Sequence, residues 1–156
     1  GFELLTLIQT GKMMPSPVVF LDEPGGDYWK RWENFIEDEL LRDNYISEKD
    51  LNLFKVTDSI DEAANELIGF YKNYHSQRFV SGILVLRMKN AIPDHEISAL
   101  NRDFAHIVAS GEIERCEPSD DEIDDNDHLG LARIRFHFDK RNWAEVRRMI
   151  NRINEF

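Results

Sequence analysis

The stretch FELLTLIQTGK, residues 2–12, has the apolar spacing of a helix and ends at Gly11, where glycine adopts positive φ without penalty. Shortly after it, the run PVVFL, residues 17–21, is continuously apolar, which is typical of a parallel strand covered on both faces. A helix that leads directly into a buried strand is the repeating step of an α/β fold. These two stretches therefore predict α/β architecture in the first half of the chain.

The alternation of helix and strand continues through the first half. The expected elements are a turn at residues 24–26, a helix that includes residues 29–40, a short capped helix at residues 47–50, a strand at residues 53–56 and a helix that Ser59 and Glu62 open as a capping box. The last of these helices carries an apolar stripe along one side. Its members are Ile60, Ala63, Ala64, Leu67, Ile68, Tyr71 and Tyr74.

A change of pattern near residues 73–79 predicts a domain boundary, with one domain at residues 1–76 and a second at residues 77–156. Residues 73–78 are polar apart from Tyr74 and show neither strand nor helix periodicity. The expected elements beyond them are a strand at 83–88, a helix at 94–110 ended by Gly111, a strand at 112–116, an alternating strand at 131–138 and a helix at 141–154. This βαββα order predicts a small α+β domain with helices on one face of an antiparallel or mixed sheet.

Composition excludes several classes of function. The net charge of −11 argues against nucleic-acid binding, because phosphate backbones attract basic surfaces. No apolar run approaches the length of roughly 18 residues that a membrane span needs. The single Cys116 excludes an intrachain disulfide framework and a cysteine-based zinc cluster, and it fits a cytoplasmic location. The five histidines show no metal-ligand spacing, and the chain contains no Walker loop or dinucleotide fingerprint, so neither a metal nor another cofactor is expected.

Charge is distributed unevenly in the second half. Residues 117–128 contain seven acidic residues and no Lys or Arg, whereas residues 129–156 contain seven basic and three acidic residues. One hypothesis is a basic patch that binds a phosphate or nucleotide effector, if the strands at 83–88 and 131–138 are neighbours. The alternative is that these cations pair with Glu112, Glu114 or the acidic segment. The residues of the patch would be Arg87, Arg133, Arg135 and His137.

Several features in order resemble the LOG family of Rossmann-like proteins, also called lysine decarboxylase-like. The resemblance covers residues 2–74 and, beyond them, pieces such as residues 74–79 and 136–138 are similar to a C-terminal extension of some longer members. The features of the first part are Thr6-x-x-Gln9-x-Gly11, the strand at 17–21, Tyr28-Trp29, Tyr45-Ile46-Ser47, the strand at 54–56 and the helix with Asp61, Glu62 and Ala63.

The resemblance implies the C-terminal half of a Rossmann-like parallel sheet, a dimeric assembly and hydrolysis of the N-glycosidic bond of nucleoside 5′-monophosphates. In that family a Pro-Gly-Gly-x-Gly-Thr-x-x-Glu loop provides the phosphate cradle and the catalytic carboxylate. The loop would stand just before residue 2, so the chain is expected to be a fragment without catalytic residues. Pro24-Gly25-Gly26 copies only the first three letters and is interpreted as a turn.

The remaining positions leave alternatives open. Thr6 and Gln9 share one helix face and are candidates to contact the substrate base, or else to make helix–sheet hydrogen bonds or a dimer contact. The chain would reach its nucleotide through the missing N-terminal half, and we expect a homodimer or association with an N-terminal fragment. The competing functional readings are a non-catalytic nucleotide-binding, regulatory or oligomerisation module, and a parent protein that binds nucleotides without hydrolysis.

Overall fold

The computed structural model describes residues 1–156 as an α/β protein with two sheets. The helices are α1 (Phe2–Gln9), α2 (Tyr28–Phe35), α3 (Ile60–Phe70), α4 (Asp94–Asp103), α5 (Asp120–Asp124) and α6 (Trp143–Ile153). The strands are β1 (Val19–Leu21), β2 (Lys55–Thr57), β3 (Tyr74–Val80), β4 (Ile83–Met88), β5 (Val108–Arg115) and β6 (Ala132–Phe138). Helix α2 continues into a π-helical turn (Ile36–Leu41), and 3₁₀ turns occur at Glu48–Leu53 and Ala105–Ile107. No helix has the length and apolar composition that a membrane span requires.

The first half contains the predicted parallel pair of strands. β1 and β2 pair in register from Val19 opposite Lys55 to Leu21 opposite Thr57. Phe20 stacks on Trp29 and contacts Trp32 and Phe54, so the sheet face toward α2 is aromatic. Helix α1 ends as predicted, with Gly11 at a φ of 71°. The capping box at Ser47 is also confirmed, because Asp50 accepts a hydrogen bond from the Ser47 backbone.

The second half contains a four-stranded antiparallel sheet in the order β3-β4-β6-β5. The inward residues of β4 and β6 alternate with outward ones, and they form a core with helices α4 and α6. This confirms that helices cover one face of an antiparallel sheet. The core residues include Leu84, Leu86, Met88, Leu100, Ile134, Phe136, Val146 and Ile150.

Strand β3 corrects the expected βαββα order, which becomes ββαβαβα. Residues 73–78 were expected to lack regular structure, but Tyr74 starts a strand that pairs with β4, and residue 76 of the expected boundary lies inside it. The sequence of β3 does not show the alternation typical of a strand, because the bulge at His75 interrupts it. A local signal was present: Ser81 and Gly82 both have positive φ, as a two-residue hairpin turn requires.

The expected end of the helix at residues 94–110 was also wrong. Helix α4 ends at Asp103 rather than Ser110, and Gly111, with a φ of 71°, lies in an irregular part of β5 instead of capping a helix. The apolar stripe of α3 is largely exposed, since Ile60 is 70% and Ile68 71% exposed. Helix α3 buries only Ala63 and Phe70.

Helix α6 belongs to both halves of the molecule. Val146, Met149 and Ile150 contribute to the larger core, whereas Ala144 belongs to the smaller core with Ile8 and Phe20. The two predicted domains therefore share this helix as a common packing element.

We expect Gly11→Ala to destabilise the protein more than Gly82→Ala. Both glycines have positive φ, which costs an alanine about 1–2 kcal/mol. A Cβ at Gly11 would also overlap the indole ring of Trp143, whereas a Cβ at Gly82 meets nothing within 4 Å. Overpacking adds about 1–3 kcal/mol, so urea unfolding should separate the two variants by that amount. Equal losses of unfolding free energy in the two variants would show that the close contact between Gly11 and Trp143 is unimportant.

Candidate functional site

The outer face of the antiparallel sheet carries a buried network of charges. Arg87 on β4 lies directly opposite Arg133 on β6, which confirms that the two strands are neighbours. Both side chains are almost fully buried because residues 117–128 fold over them. Part of that acidic segment, expected to be a loop, forms α5, whose Ser119 and Glu122 make a capping box. The acidic segment is therefore a cover for the sheet.

Glu122 is the centre of this network. Its Oε1 accepts hydrogen bonds from Arg87 Nη2 at 2.6 Å and from Arg133 Nε at 3.2 Å. Its Oε2 accepts bonds from the backbone N–H and the hydroxyl of Ser119, at 3.0 and 3.2 Å. Both carboxylate oxygens are thus satisfied, as a buried charge requires.

Asp127 closes the network toward solvent. Its Oδ2 lies 2.6 Å from Arg87 Nη2 and 2.9 Å from Arg78 Nη1. Arg133 donates its remaining hydrogen bonds to the backbone carbonyls of Leu131, Asp127 and His128. The guanidinium donors of the two buried arginines are therefore used inside the protein.

The network holds Glu122 in its charged form. Burial alone raises the pKa of this carboxyl, but the Ser119 N–H and the guanidinium groups of Arg87 and Arg133 outweigh burial and lower the pKa to about 2. The pKa of Asp127 is also lowered, chiefly by its hydrogen bond from Arg78. The charges of the segment and of the sheet thus balance each other.

Two of the four residues of the expected basic patch are not open to a ligand. Arg87 and Arg133 are covered and neutralised, because guanidinium groups inside a sheet face need counter-charges. Arg135 is exposed and pairs with Glu114 at 2.8 Å, and His137 is exposed. The alternative holds for three of the four residues: Arg87 and Arg133 pair with the acidic segment, and Arg135 pairs with Glu114. Anion binding by Arg135 and His137 stays a prediction.

The structure places Thr6 and Gln9 at a recess of about 70 Å³ between α1 and the π-helical turn. Apolar neighbours such as Leu5, Ile36 and Leu40 line most of the recess. Neither side chain hydrogen-bonds to the parallel sheet, so helix–sheet bonding, one of the alternatives for this pair, is not found. The recess by itself is too small to enclose a purine base, and contact with substrate stays a prediction.

Other charged residues were missed by sequence reasoning. Glu145, on α6, is 1% exposed and lies 2.9 Å from the ammonium of Lys49. Arg147, on the same helix, is 5% exposed and pairs with Glu66 on α3. Their position on an otherwise amphipathic helix gives no local signal, because the second packing surface of α6 comes from the first half of the chain.

Comparison with known proteins bears on the first half only. Residues 1–67 match the model of a family described as "Possible lysine decarboxylase". The matched segment runs from α1 into α3 and contains the parallel β1–β2 pair. No curated protein and no solved structure matches the chain. The match supports the family resemblance for the α/β half of the protein.

We expect Glu122→Gln to destabilise the protein by about 3 kcal/mol near neutral pH, because two buried guanidinium groups lose their shared charge partner. The folded pKa lies below the ordinary value of 4.5, so the stabilisation is present above pH 4.5 and is lost as the pH falls toward 2. The stability difference between wild type and variant should therefore shrink across that window. Chemical denaturation at several pH values measures it.

Glu117→Gln is the matched control, since Glu117 is an exposed acid of the same segment without an ion pair. It should change stability little at any pH. A difference between wild type and Glu122→Gln that is independent of pH would contradict the proposed role of the charge.

Proposed function

We propose that the α/β half of this chain serves a nucleoside 5′-monophosphate phosphoribohydrolase, as the part that follows the catalytic loop. The observation that supports this proposal is the family match over residues 1–67. In such an enzyme the N-glycosidic bond is hydrolysed to give a free base and ribose 5-phosphate, and we place the protein in the cytoplasm. Thr6 and Gln9 would approach the base from α1.

The 156 residues contain no Pro-Gly-Gly-x-Gly-Thr-x-x-Glu sequence. The chemistry of the family needs backbone N–H groups for the phosphate and a carboxylate for the reacting sugar. Neither Glu3 nor the turn at residues 24–26 meets these requirements. We therefore propose that the catalytic groups act from a segment that pairs with this chain, and that residues 1–156 alone do not cleave nucleotides.

A chimera tests this function. The N-terminal part of an active family member, through its Pro-Gly-Gly-x-Gly-Thr-x-x-Glu loop, is joined to Gly1. We expect the chimera to release base from nucleoside monophosphates in a chromatographic assay, and residues 1–156 alone to release none. Replacing the loop glutamate by glutamine is the control and should abolish release. A folded chimera without activity, or enzyme-like rates from residues 1–156 alone, would contradict the proposal.

A second candidate function is oligomerisation, and the exposed face of α3 favours it. Ile60, Leu67, Ile68 and Tyr71 are between 43% and 71% exposed, and Ala64 between them is exposed as well. Their spacing places them along one side of the helix. An apolar helix face of this kind marks an interaction surface. We propose that a second copy of the chain covers it.

The charges at the two ends of α3 suit an antiparallel arrangement. Asp58 and Asp61 lie at the start of the helix, whereas Lys72 and Lys89 lie near its end. In a twofold pairing of two α3 helices, the acidic end of one copy meets the basic end of the other. Ala64, near the middle, lets the two helices approach closely. A separate N-terminal fragment is the competing occupant of this face.

We expect sedimentation analysis to show a concentration-dependent dimer that Ile68→Glu dissociates. Tyr45→Glu, a change at an equally exposed apolar residue outside α3, should leave the dimer intact. Lys72→Glu should weaken the dimer, and adding Asp61→Lys should restore it. A monomeric wild-type chain at all concentrations would contradict self-association and favour an N-terminal partner.

A further inference from the structure

A polar cleft of about 330 Å³ lies where the first half of the chain meets α6. Its walls come from the end of the 3₁₀ turn and β2 on one side, from α3 on the second and from α6 on the third. The residues that bear on its chemistry are Asn52, Lys55, Glu66, Phe70, Arg147 and Asn151. Neither the charge network of the outer sheet face nor the recess at Thr6 is part of it.

Arg147 is held rigidly in the wall of this cleft. Its Nε donates a hydrogen bond of 3.0 Å to Oδ1 of Asn151, and its Nη2 donates one to Glu66. The guanidinium carbon lies 4.6 Å from the centroid of the Phe70 ring. The remaining nitrogen, Nη1, has no hydrogen-bond partner within the protein. An arginine so fixed keeps donors available and loses little entropy when an anion binds.

Lys55 adds a second cation that is only loosely engaged. Its nearest carboxylate oxygen, on Glu62, is 3.7 Å from the ammonium nitrogen, and its side chain is 38% exposed. Asn151 uses its carbonyl oxygen for Arg147, so its amide NH₂ is free to donate. Asn52 donates to the Lys49 carbonyl, which leaves its own side-chain oxygen as an acceptor.

The cleft lacks the excess of acidic residues that the whole chain has. Two cations and one carboxylate, Glu66, line the cleft, and Glu62 lies at its edge 3.7 Å from Lys55, in a protein whose net charge is −11. This differs from the network around Glu122, where the guanidinium donors are used internally. The cleft therefore offers donors that the protein does not use itself, in a chain whose net negative charge disfavours anion binding in general.

We propose that this cleft binds a small phosphate monoester. Arg147 and Lys55 contact the phosphate oxygens together with the Asn151 amide, and Asn52 accepts from a hydroxyl group of the ligand. The volume lies at the lower end of the roughly 300–1,000 Å³ of small-molecule sites, which fits a short phosphorylated polyol. Because α3 and α6 both contribute, the bound ligand links the two halves of the chain.

Titration with glycerol 3-phosphate at constant ionic strength tests the proposal, by calorimetry or by backbone amide NMR shifts. Saturable binding is expected, with shifts near residues 52–55 and 147–151. Lys55→Gln should weaken binding at least fivefold. Arg147→Lys keeps the charge but lacks the guanidinium fork, and it should weaken binding by a similar factor. Titrations with glycerol and with sulfate, at matched ionic strength, test whether the polyol or the anion alone accounts for the binding.

Lys12→Gln is the matched control, because it removes one exposed cation outside the cleft. It should leave the affinity unchanged, and melting curves confirm that all variants are folded. Equal weakening by Lys12→Gln and Lys55→Gln would overturn the proposal, as would the absence of saturable binding. This test uses residues 1–156 alone, so its outcome is independent of base release by the chimera.

Discussion

The packing of α6 between two cores is the constraint on which the rest of the structure depends. A helix normally buries one face, but eight of the eleven residues of α6 are buried, including Glu145 and Arg147. Trp143 fills the space that a side chain at residue 11 would occupy, and Ala144 reaches the smaller core. Because the parallel sheet has only two strands, the first half gains a further packing partner in α6, through Ala144.

The buried charges follow from this arrangement. Glu145 contacts Lys49, and Arg147 contacts Glu66, so both ion pairs join α6 to the first half. Such pairs add little net stability, since desolvation offsets their attraction, but an unpaired partner is costly. They therefore favour one orientation of the two halves over others. The Glu122 network does the same for the acidic segment on the opposite side of the sheet.

The two charged regions differ in what they have left to offer a ligand. Around Glu122, hydrogen bonds within the protein use the donors of Arg87 and Arg133, so this region holds the acidic segment on the sheet. In the cleft beside α6, Arg147 and Lys55 retain donors. The proposed phosphate site thus lies at the junction of the halves, whereas Arg87 and Arg133 on the basic strands are neutralised.

The sequence by itself determined the elements whose signals are local. The end of α1 at Gly11, the apolar run of β1, the capping box at Ser47 and the strict alternation of β6 each depend on residues within a few positions, and each was predicted. Hydrophobic period and capping are properties of a single segment, so no partner is needed to recognise them. The family resemblance was likewise drawn from the sequence, over residues 2–74, and the family model matches residues 1–67.

Only the tertiary structure decided which charged residues are buried and which apolar ones are exposed. Strand β3 carries polar residues on its outer face, where the acidic segment covers it, as in the pair of Arg78 with Asp127, which lies 49 positions further along the chain. Ile68 has the same local pattern as a core residue, yet no element of the chain packs on it. Arg87 and Arg147 are buried because a distant carboxylate meets each of them. Burial and ion pairing depend on residues that are distant in the sequence and adjacent only in the folded structure, so local sequence patterns do not reveal them.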